Sequence, residues 1–327
     1  MRLVFRVLLL LVLIAVLAVL YLVTKLDDIE NHELENIAVN TFSDANMDGY
    51  RQIAIFGVDS RANELTKNTR SDSIMVANIN KKTHDVQIIS VYRDTYVQIK
   101  DHGYTKVNHA YAYGGPDLAV NTLNTNFDLN IRDFVTINFS ALSHVIDALG
   151  GIELDITKEE RKWVNAYAKD VAKINGEKYQ RIKKPGKQTV TGVQATAYCR
   201  VRKTKGGDYT RAGRQRTVLN AIFEKAKHSN PVALVDIMNE MFPQIYTSLT
   251  TSEILNLAKY MPFYEISGQE GFPYEQESHR ASDGIYYDFP VTLHENVVEL
   301  HEKFFGTKDF EPSKTVEKIS QEITARR

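Results

Sequence analysis

Cysteine is almost absent from this chain, which has Cys199 alone among its 327 residues. A single cysteine excludes an internal disulfide framework. None of the nine histidines lies at a zinc-ligand spacing from Cys199 or from another histidine, so no structural zinc site is expected. An excess of charge of one sign is also lacking, since the net charge is −1 and the pI is about 6.8. The chain as a whole therefore has no general attraction to nucleic acid or to acidic membranes.

Several catalytic sequence motifs are missing as well. Gly207 and Gly213 enclose five residues and are followed by Arg214-Gln215, whereas a Walker A loop encloses four and continues with Lys-Ser/Thr. The sequence contains no G-x-S-x-G, C-x-x-C or H-E-x-x-H motif and no EF-hand loop. The chemistry must therefore come from another arrangement of residues.

One long apolar run, Val7–Val23, stands out from an otherwise mixed sequence. A bilayer core requires about 20 apolar residues. Arg2 and Arg6 precede the run and acidic residues follow from Asp27, which favours a cytoplasmic N-terminus. The run lacks an A-x-A-like cleavage site, so residues 1–24 are predicted to be a cytoplasmic tip and an uncleaved single-pass anchor rather than a signal peptide. Everything beyond it is then expected outside the cell membrane, where few cysteines fit a surface that does not rely on disulfides.

Residues 25–50 are polar and predict a stalk, and residues 51–305 show no internal repeat or linker. The tail 306–327 is charged and poor in large apolar residues, which predicts a mobile segment. The predicted strands are 51–58, 73–79, 86–92, 134–139, 152–156 and 285–289. The predicted helices are 116–127, 141–149, 158–172, 191–200, 211–228, 231–242, 251–261 and 292–305. Because strands and helices alternate, the expected fold class is α/β, an α/β/α sandwich with a central mixed β-sheet.

A dense basic segment lies between Tyr198 and Arg216. Its seven cations surround one acid, Asp208, and they are Arg200, Arg202, Lys203, Lys205, Arg211, Arg214 and Arg216. Guanidinium groups bind phosphate oxygens bidentately and tolerate desolvation better than ammonium groups do. The segment therefore indicates a phosphate or pyrophosphate site, with a solvated basic surface as the alternative.

Three predicted strand ends each carry an Arg–Asp combination. The pairs are Asp59 with Arg61, Arg70 with Asp72, and Arg93 with Asp94. Loops at strand ends converge in α/β sheets, so a common site with the basic segment is favoured over separate surface salt bridges. Two carboxylates from different strands can hold Mg²⁺ together with phosphate oxygens, and arginines can neutralise a leaving diphosphate.

These residues belong to a set of motifs that resembles the LytR–CpsA–Psr family over about residues 50–230, the core of the 51–305 domain. The motifs are FGVDSR (56–61), RSDSIMV (70–76), SVYRDTYVQI (90–99), KVNHAYAYGGPDLAV (106–120), DALGGIELDI (147–156) and YCRVRKTKGGDYTRAGRQR (198–216). The resemblance implies an extracellular, membrane-anchored phosphotransferase. Such an enzyme moves a glycopolymer, such as teichoic acid or a capsular or wall polysaccharide, from a polyprenyl-diphosphate carrier to peptidoglycan and leaves a phosphodiester link.

The resemblance also implies roles for single residues. Asp59 and Asp72 match Mg²⁺ ligands, and Arg93 matches an arginine that contacts the diphosphate and is required for activity. Other head-group contacts are matched by Arg61, Arg70, Lys106, Arg200, Arg202, Arg211 and Gln215. Asp208 matches an acid that orders the arginines. Carboxylates beside arginines are weak bases, so the general base is left open between Asp59 and Asp208.

Tyr92 departs from the family pattern, which usually has proline there, but Arg93 stays in place. A prenyl chain also needs an apolar groove beside the charged site, and helices at 140–149, 191–200 and 211–228 are expected to line it.

Other functions use the same residues. A polyprenyl-diphosphate phosphatase or pyrophosphatase would employ this site with water as acceptor. A nucleic-acid-binding regulator would use the basic residues interleaved with Tyr198 and Tyr209. The predicted anchor argues against that regulator, and nucleic acid is not an expected partner. A passive wall-binding module is the remaining alternative.

Overall fold

The computed structural model describes residues 30–35, 37, 47–60, 64–229 and 245–327. The apolar run Val7–Val23, Arg61 and the predicted helix 231–242 lie outside these residues. No helix within the described part of the chain is long and apolar enough to cross a membrane.

Strands and helices alternate along the described chain. The strands are β1 (Glu30–Asn31), β2 (Tyr50–Val58), β3 (Ser71–Asn80), β4 (Asp85–Val91), β5 (Tyr96–Ile99), β6 (Gly103–Lys106), β7 (Asp133–Asn138), β8 (Ile152–Ile156), β9 (Gly186–Val190), β10 (Ile245–Thr247), β11 (Glu265–Phe272), β12 (Gln276–Arg280) and β13 (Tyr286–Pro290). The α-helices are α1 (His109–Phe127), α2 (Phe139–Ala148), α3 (Lys158–Asn175), α4 (Gly192–Arg200), α5 (Gly207–Lys227), α6 (Thr251–Tyr260), α7 (Leu293–Phe305) and α8 (Lys314–Arg326).

The main sheet has the strand order β1-β10-β7-β2-β3-β4-β11. At its centre, β2 runs antiparallel to β3 and parallel to β7, and β4 runs parallel to β11. The sheet is therefore mixed, as the sequence predicts. Three two-stranded sheets pair β5 with β6, β8 with β9, and β12 with β13.

Helices cover both faces of the main sheet. Side chains alternate along a strand, so Ile74 and Val76 face one core, which includes residues of α1, α7 and α8. Met75 and Ala77 face the other core, against which residues of α5 and α6 pack. Burial of an aliphatic side chain contributes about 1.5–3 kcal/mol, so both layers stabilise the sheet. This arrangement confirms the predicted α/β/α sandwich.

The predicted mobile tail is wrong. Residues Lys314–Arg326 form α8, and Val316, Ile319 and Ile323 are buried in the core that also holds α1. The Ser313 backbone N–H and hydroxyl both donate to the Asp128 carboxylate, at 2.6 and 2.7 Å. Few apolar residues suffice here because they recur at helical spacing on one face, which average composition does not reveal.

The predicted stalk is also wrong for the part of residues 25–50 that the structure describes. β1 pairs with β10 at the edge of the main sheet. Leu34 and Ile37 pack against the core, and His32 Nε2 lies 2.7 Å from Asp117 Oδ2. The pairing partner is more than 200 residues away in sequence, so local polarity gives no sign of it.

Helix α1 begins at His109, well before the predicted start at Pro116. Gly114 and Gly115 interrupt it with non-helical backbone angles. Gly115 has φ 63°, and a Cβ there would lie 2.3 Å from the Thr66 carbonyl oxygen. Glycine permits both the angle and the contact, so the loop before β3 packs closely on this helix.

Candidate functional site

Described members of all three predicted Arg–Asp pairs meet at one edge of the main sheet. Asp59 follows the end of β2, Asp72 lies at the start of β3, and Arg93 follows the end of β4. Because β3 runs antiparallel to both neighbours, its start lies beside their ends. The sheet topology thus brings residues from three separate motifs together.

The basic segment reaches the same edge through the turn between α4 and α5. Thr191 and Gln194 form a capping box that fixes the start of α4, which ends at Arg200. Gly206 then adopts φ 88°, a left-handed conformation that favours glycine. The α5 helix begins directly after Gly206, so Asp208 and Arg211 lie near its N-terminus. The Arg211 side chain reaches β3.

Arg93 lies at the centre of the charged cluster. Its guanidinium forms an ion pair with Asp72, and its Nε lies 3.3 Å from Asp208 Oδ2. Burial disfavours the charged form, but the attraction of Asp208, Asp72 and Asp94 outweighs it and raises the pKa of Arg93. Arg93 is therefore a permanent cation whose position three carboxylates define.

Asp208 joins the arginines to one another. Its Oδ2 lies 3.0 Å from Arg211 Nη2 as well as near Arg93, and its Oδ1 lies 3.5 Å from Arg202 Nε. Both oxygens are therefore engaged with guanidinium groups. This geometry matches the ordering role that the family resemblance implies for Asp208, and it leaves little of the carboxylate free to accept a proton.

Arg211 is the most buried of these arginines. Its Nη2 donates to the Asp72 backbone carbonyl at 3.0 Å, which links α5 to β3. Burial, together with repulsion from Arg93 and Arg202, lowers the pKa of Arg211 to about 10 despite the attraction of Asp208. A further anion at this place would offset that repulsion.

Two neighbouring cavities open at this edge. The arginine pocket, of about 190 Å³, is lined by Asp59, Asp72, Arg200, Arg202, Arg211 and Gln215 with Phe139, Tyr167 and Cys199. The outer pocket, of about 630 Å³, shares Asp59, Asp72 and Arg202 with it. The outer pocket also contains Arg70, Arg93, Asp94, Lys106, Asn108, His109 and Ile285, with Asn68 and Thr69. Arg93 and Arg202 thus face one cavity.

An apolar pocket of about 90 Å³ adjoins the arginine pocket. The two pockets share Phe139, Cys199 and Gln215. The walls are Ile55 and Met75 from the sheet, Leu142 from α2, and Val218, Leu219 and Ile222 from α5. The helices α2, α4 and α5 are those expected from the sequence to line an apolar groove beside the charged site.

The remaining predicted contacts fall into the same pockets, except Arg61, which lies outside the described residues. Arg200 Nη2 lies 3.3 Å from Asp59 Oδ2, and Lys106 Nζ lies 2.9 Å from Asp94 Oδ1. Gln215 lies between the arginine pocket and the apolar pocket.

Some cations of the basic segment line the pockets, and others hold the segment in place. Arg214 is buried and is not among the residues that line these pockets. Its Nε binds Glu160 at 2.8 Å, its Nη1 donates to the Val201 carbonyl at 3.0 Å, and its Nη2 donates to Thr204 Oγ1 at 2.8 Å. Lys203 lies over the Trp163 ring, 4.9 Å from its centroid. Arg214 therefore holds the loop that carries Arg202.

His109 is a pocket residue that the sequence reasoning missed. It lines the outer pocket, and its Nδ1 lies 3.0 Å from Thr105 Oγ1. Burial, then the charges of Arg70 and Lys106, lower the pKa of His109, so it is neutral at pH 7. The sequence feature that could have indicated His109 as a pocket residue is its position three residues after Lys106, a predicted head-group contact.

Tyr92 gains a contact that proline would not make. Its backbone N–H donates to the Phe272 carbonyl at 2.9 Å, and proline has no such donor. Its ring packs edge-on against Tyr209, with centroids 4.5 Å apart. Tyr209 follows Asp208 on α5. Tyr92, in place of the usual proline, therefore connects the turn that carries Arg93 to α5.

The carboxylates of Asp59 and Asp72 fit a divalent metal in composition. Both line the arginine pocket and the outer pocket, and both are partly exposed. The described residues contain no group of three acidic, histidine or cysteine side chains that could hold a metal alone. Two carboxylates supplemented by phosphate oxygens are a donor set that suits Mg²⁺.

The chain matches known proteins in sequence and in fold. The LytR_cpsA_psr family profile matches residues 16–302. A Bacillus cereus protein, polyisoprenyl-teichoic acid–peptidoglycan teichoic acid transferase TagU, is 30% identical over 239 residues, which are 72% of each chain. The corresponding transferase TagT of Bacillus subtilis is 31% identical over 241 residues, which are 72% of this chain and 70% of that one.

Solved structures have the same fold. The crystal structure of Bacillus subtilis TagT matches with a TM-score of 0.61 at 26% identity, over 85% of this chain and 99% of that chain. A TagT structure with bound octaprenyl pyrophosphate lipid matches with a TM-score of 0.61 at 24% identity, over 85% of this chain and all of that one.

Proposed function

The chain belongs to the LytR–CpsA–Psr family, and we propose that it is a phosphotransferase that moves a wall glycopolymer from a polyprenyl-diphosphate carrier to peptidoglycan. The observation that carries the proposal is that the apolar pocket, the arginine pocket and the outer pocket are neighbours, since each shares lining residues with the next. A lipid, a diphosphate and a glycan have the chemistry that these three pockets present in that order. The related transferases TagU and TagT are named for this reaction with teichoic acid.

The residues that neighbouring pockets share support a proposed position for the donor. The first carbons of the prenyl chain, next to the diphosphate, enter the apolar pocket of about 90 Å³, and Gln215 marks the change from apolar to charged surroundings. The diphosphate binds Arg200, Arg202 and Arg211 in the arginine pocket. The glycan then extends past Arg93 into the outer pocket, the largest of the three.

In the reaction, an acceptor hydroxyl oxygen attacks the phosphorus that carries the glycopolymer. The bond from that phosphorus to the bridging oxygen breaks, and polyprenyl monophosphate leaves. The hydroxyl proton passes to a carboxylate, and the glycopolymer remains joined to the acceptor by a phosphodiester. Arg93 and its neighbours stabilise the charge that develops on the phosphate oxygens. Preorganisation by Asp208 keeps them in place without reorganisation during the step.

Mg²⁺ is proposed as the cofactor, with Asp59 and Asp72 as its ligands. When bound, it would supply further neutralisation of phosphate charge. Water as acceptor would turn the same site into a diphosphatase, and the products separate the two reactions. A nucleic-acid-binding role is disfavoured because Arg93, Arg202 and Arg211 are paired with carboxylates around a recess and do not form an open basic surface.

The test combines the full-length protein with a synthetic polyprenyl-diphosphate-linked glycan and a peptidoglycan oligomer, with and without Mg²⁺. Wild type should give a phosphodiester-linked product and polyprenyl monophosphate. Arg93→Ala should abolish the product while the circular dichroism spectrum stays unchanged. Lys205→Ala, an exposed cation of the same segment, should behave like wild type. Glycan phosphate and polyprenyl monophosphate without linked product would identify a diphosphatase, and full activity of Arg93→Ala would reject the proposed site.

The proposed location is the cell membrane, with residues 1–24 as a single-pass anchor and the domain outside. The support is the apolar run and the charges that flank it. In intact protoplasts, added protease should digest the domain, and the protein should sediment with membranes. Removing residues 1–24 should release the domain in soluble form, and a protease-resistant domain in intact protoplasts would contradict the orientation.

A further inference from the structure

A fourth cavity adjoins the site and takes no part in the proposed binding of the donor. This lateral pocket, of about 210 Å³, lies among β7, α2, α3 and α4. Asp59, Arg200 and Phe139 belong both to it and to the arginine pocket. The lateral pocket therefore gives a second approach to the place where the diphosphate is proposed to bind.

The chemistry of the lateral pocket differs from that of the other cavities. Its lining combines polar side chains, those of Ser140, Asn175 and Thr196, with the apolar side chains of Val171 and Ile174. Its one arginine, Arg200, is paired with Asp59 at 3.3 Å, and His144 lies 3.5 Å from Glu177. No excess of cations remains to attract a second phosphate. Polar groups beside apolar surface suit an uncharged sugar ring, and the volume is comparable with one such ring.

Thr196 supplies independent support. Its side chain is buried, and its Oγ1 has no hydrogen-bond partner within the described structure. A buried hydroxyl without a partner lowers stability. A ligand hydroxyl in the pocket that Thr196 lines would provide the missing partner.

From these observations we infer that the lateral pocket binds the acceptor saccharide of peptidoglycan and presents its hydroxyl at Asp59. This inference rests on the proposed transfer reaction and adds the acceptor subsite to it. Asp59 is the carboxylate common to the lateral, arginine and outer pockets. Its side chain is 44% exposed, whereas both oxygens of Asp208 contact arginines. A saccharide hydroxyl in the lateral pocket can therefore approach the diphosphate in the arginine pocket beside an accessible Asp59.

The first experiment narrows the lateral pocket. Ile174 is 51% exposed and lines it, so Ile174→Trp fills space without disturbing a core. The KM for a peptidoglycan oligomer should rise about tenfold, while the affinity for the lipid-diphosphate donor stays within about twofold of wild type. Lys173→Trp is the matched control, because Lys173 is an exposed neighbour on α3 that does not line the pocket. It should leave both quantities unchanged.

The second experiment removes one hydroxyl. Thr196→Val keeps the size of the side chain, and because the hydroxyl has no partner in the free protein its loss should not lower the melting temperature. The acceptor KM should nevertheless rise. A purely structural role for Thr196 predicts a change in melting temperature and no change in this KM.

Outcomes for the two proposals are distinguishable. Wild-type protein that transfers no glycopolymer would overturn the proposed function itself. Active wild type with an unchanged acceptor KM in both Ile174→Trp and Thr196→Val would overturn the acceptor subsite alone. A loss of donor affinity in Ile174→Trp would assign the lateral pocket to the donor and would likewise reject the inference.

Discussion

At the scale of single residues, Asp208 illustrates how a carboxylate can serve a cationic site. It lies within 3.5 Å of three guanidinium groups, those of Arg93, Arg202 and Arg211. Without its charge, these groups would repel one another and lose their common orientation. Its proposed role is therefore positional.

The variant Asp208→Asn tests this positional role. We expect kcat to fall about tenfold, because Arg93 and Arg202 lose a charged acceptor. Donor affinity should not weaken, since the pocket becomes more positive. Asp155→Asn, an exposed acid on β8, is the control and should have no effect. A loss of about 10²–10⁴-fold in kcat would instead identify Asp208 as the general base.

Sequence reasoning recovers much of the site at this scale but not all of it. The Arg–Asp pairs at strand ends could be predicted because strand ends converge at one edge of a sheet. The different roles of Arg211 and Arg214 could not be predicted from the sequence. Both lie on the buried face of α5, three residues apart, and the buried carboxylate of Glu160, which is distant in sequence, helps to hold Arg214 against the loop and away from the pocket. A long-range partner of this kind leaves no local signal.

At the scale of elements, α5 and its preceding loop are fixed by the buried Arg214–Glu160 pair. Glu160 also completes the capping box at the start of α3, so one carboxylate joins two helices and the loop that carries Arg202. Burial raises the pKa of Glu160, but hydrogen bonds from Thr157 and Arg214, with the charge of Arg214, lower it below its ordinary 4.5 overall. The folded state thus favours the ionised form.

Replacing Arg214 by methionine should destabilise the protein by about 3–5 kcal/mol, because a buried carboxylate is left without its partner. Urea denaturation measures this free energy, and Arg214→Met with Glu160→Gln should recover part of it. In wild type, the contribution of Glu160 is complete above pH 4.5 and is lost as the pH falls through its lowered pKa. Stability that depends on pH equally in wild type and in Glu160→Gln between pH 3 and 5 would contradict this account.

Element boundaries show the limit of local patterns. The central strands were predicted to within two residues because alternation and β-branched residues define them. The N-terminal strand β1 and the C-terminal helix α8 were missed, since each is stabilised by contacts with residues more than 180 positions away. Low hydrophobicity at a terminus predicts disorder only where no distant partner exists.

At the scale of the whole molecule, the three pockets of the donor site should respond separately to obstruction. Leu142 lines the apolar pocket, and Ile285 lines the outer pocket at the other end of the donor site. If the prenyl chain occupies the first and the glycan the second, Leu142→Trp should weaken a glycan-free polyprenyl diphosphate about tenfold, and Ile285→Trp should leave its affinity unchanged. Ile285→Trp should weaken only the glycan-bearing donor. Inorganic diphosphate, which needs neither end, should bind both variants like wild type, and calorimetry with these three ligands measures each case. If both variants bind inorganic diphosphate more weakly than wild type, the substitutions distort the whole site. If Ile285→Trp and not Leu142→Trp weakens the binding of glycan-free polyprenyl diphosphate, the lipid and the glycan occupy the opposite ends from those proposed. The sheet edge that gathers the charges would then still bind the diphosphate, but the direction in which the polymer leaves the enzyme would be reversed.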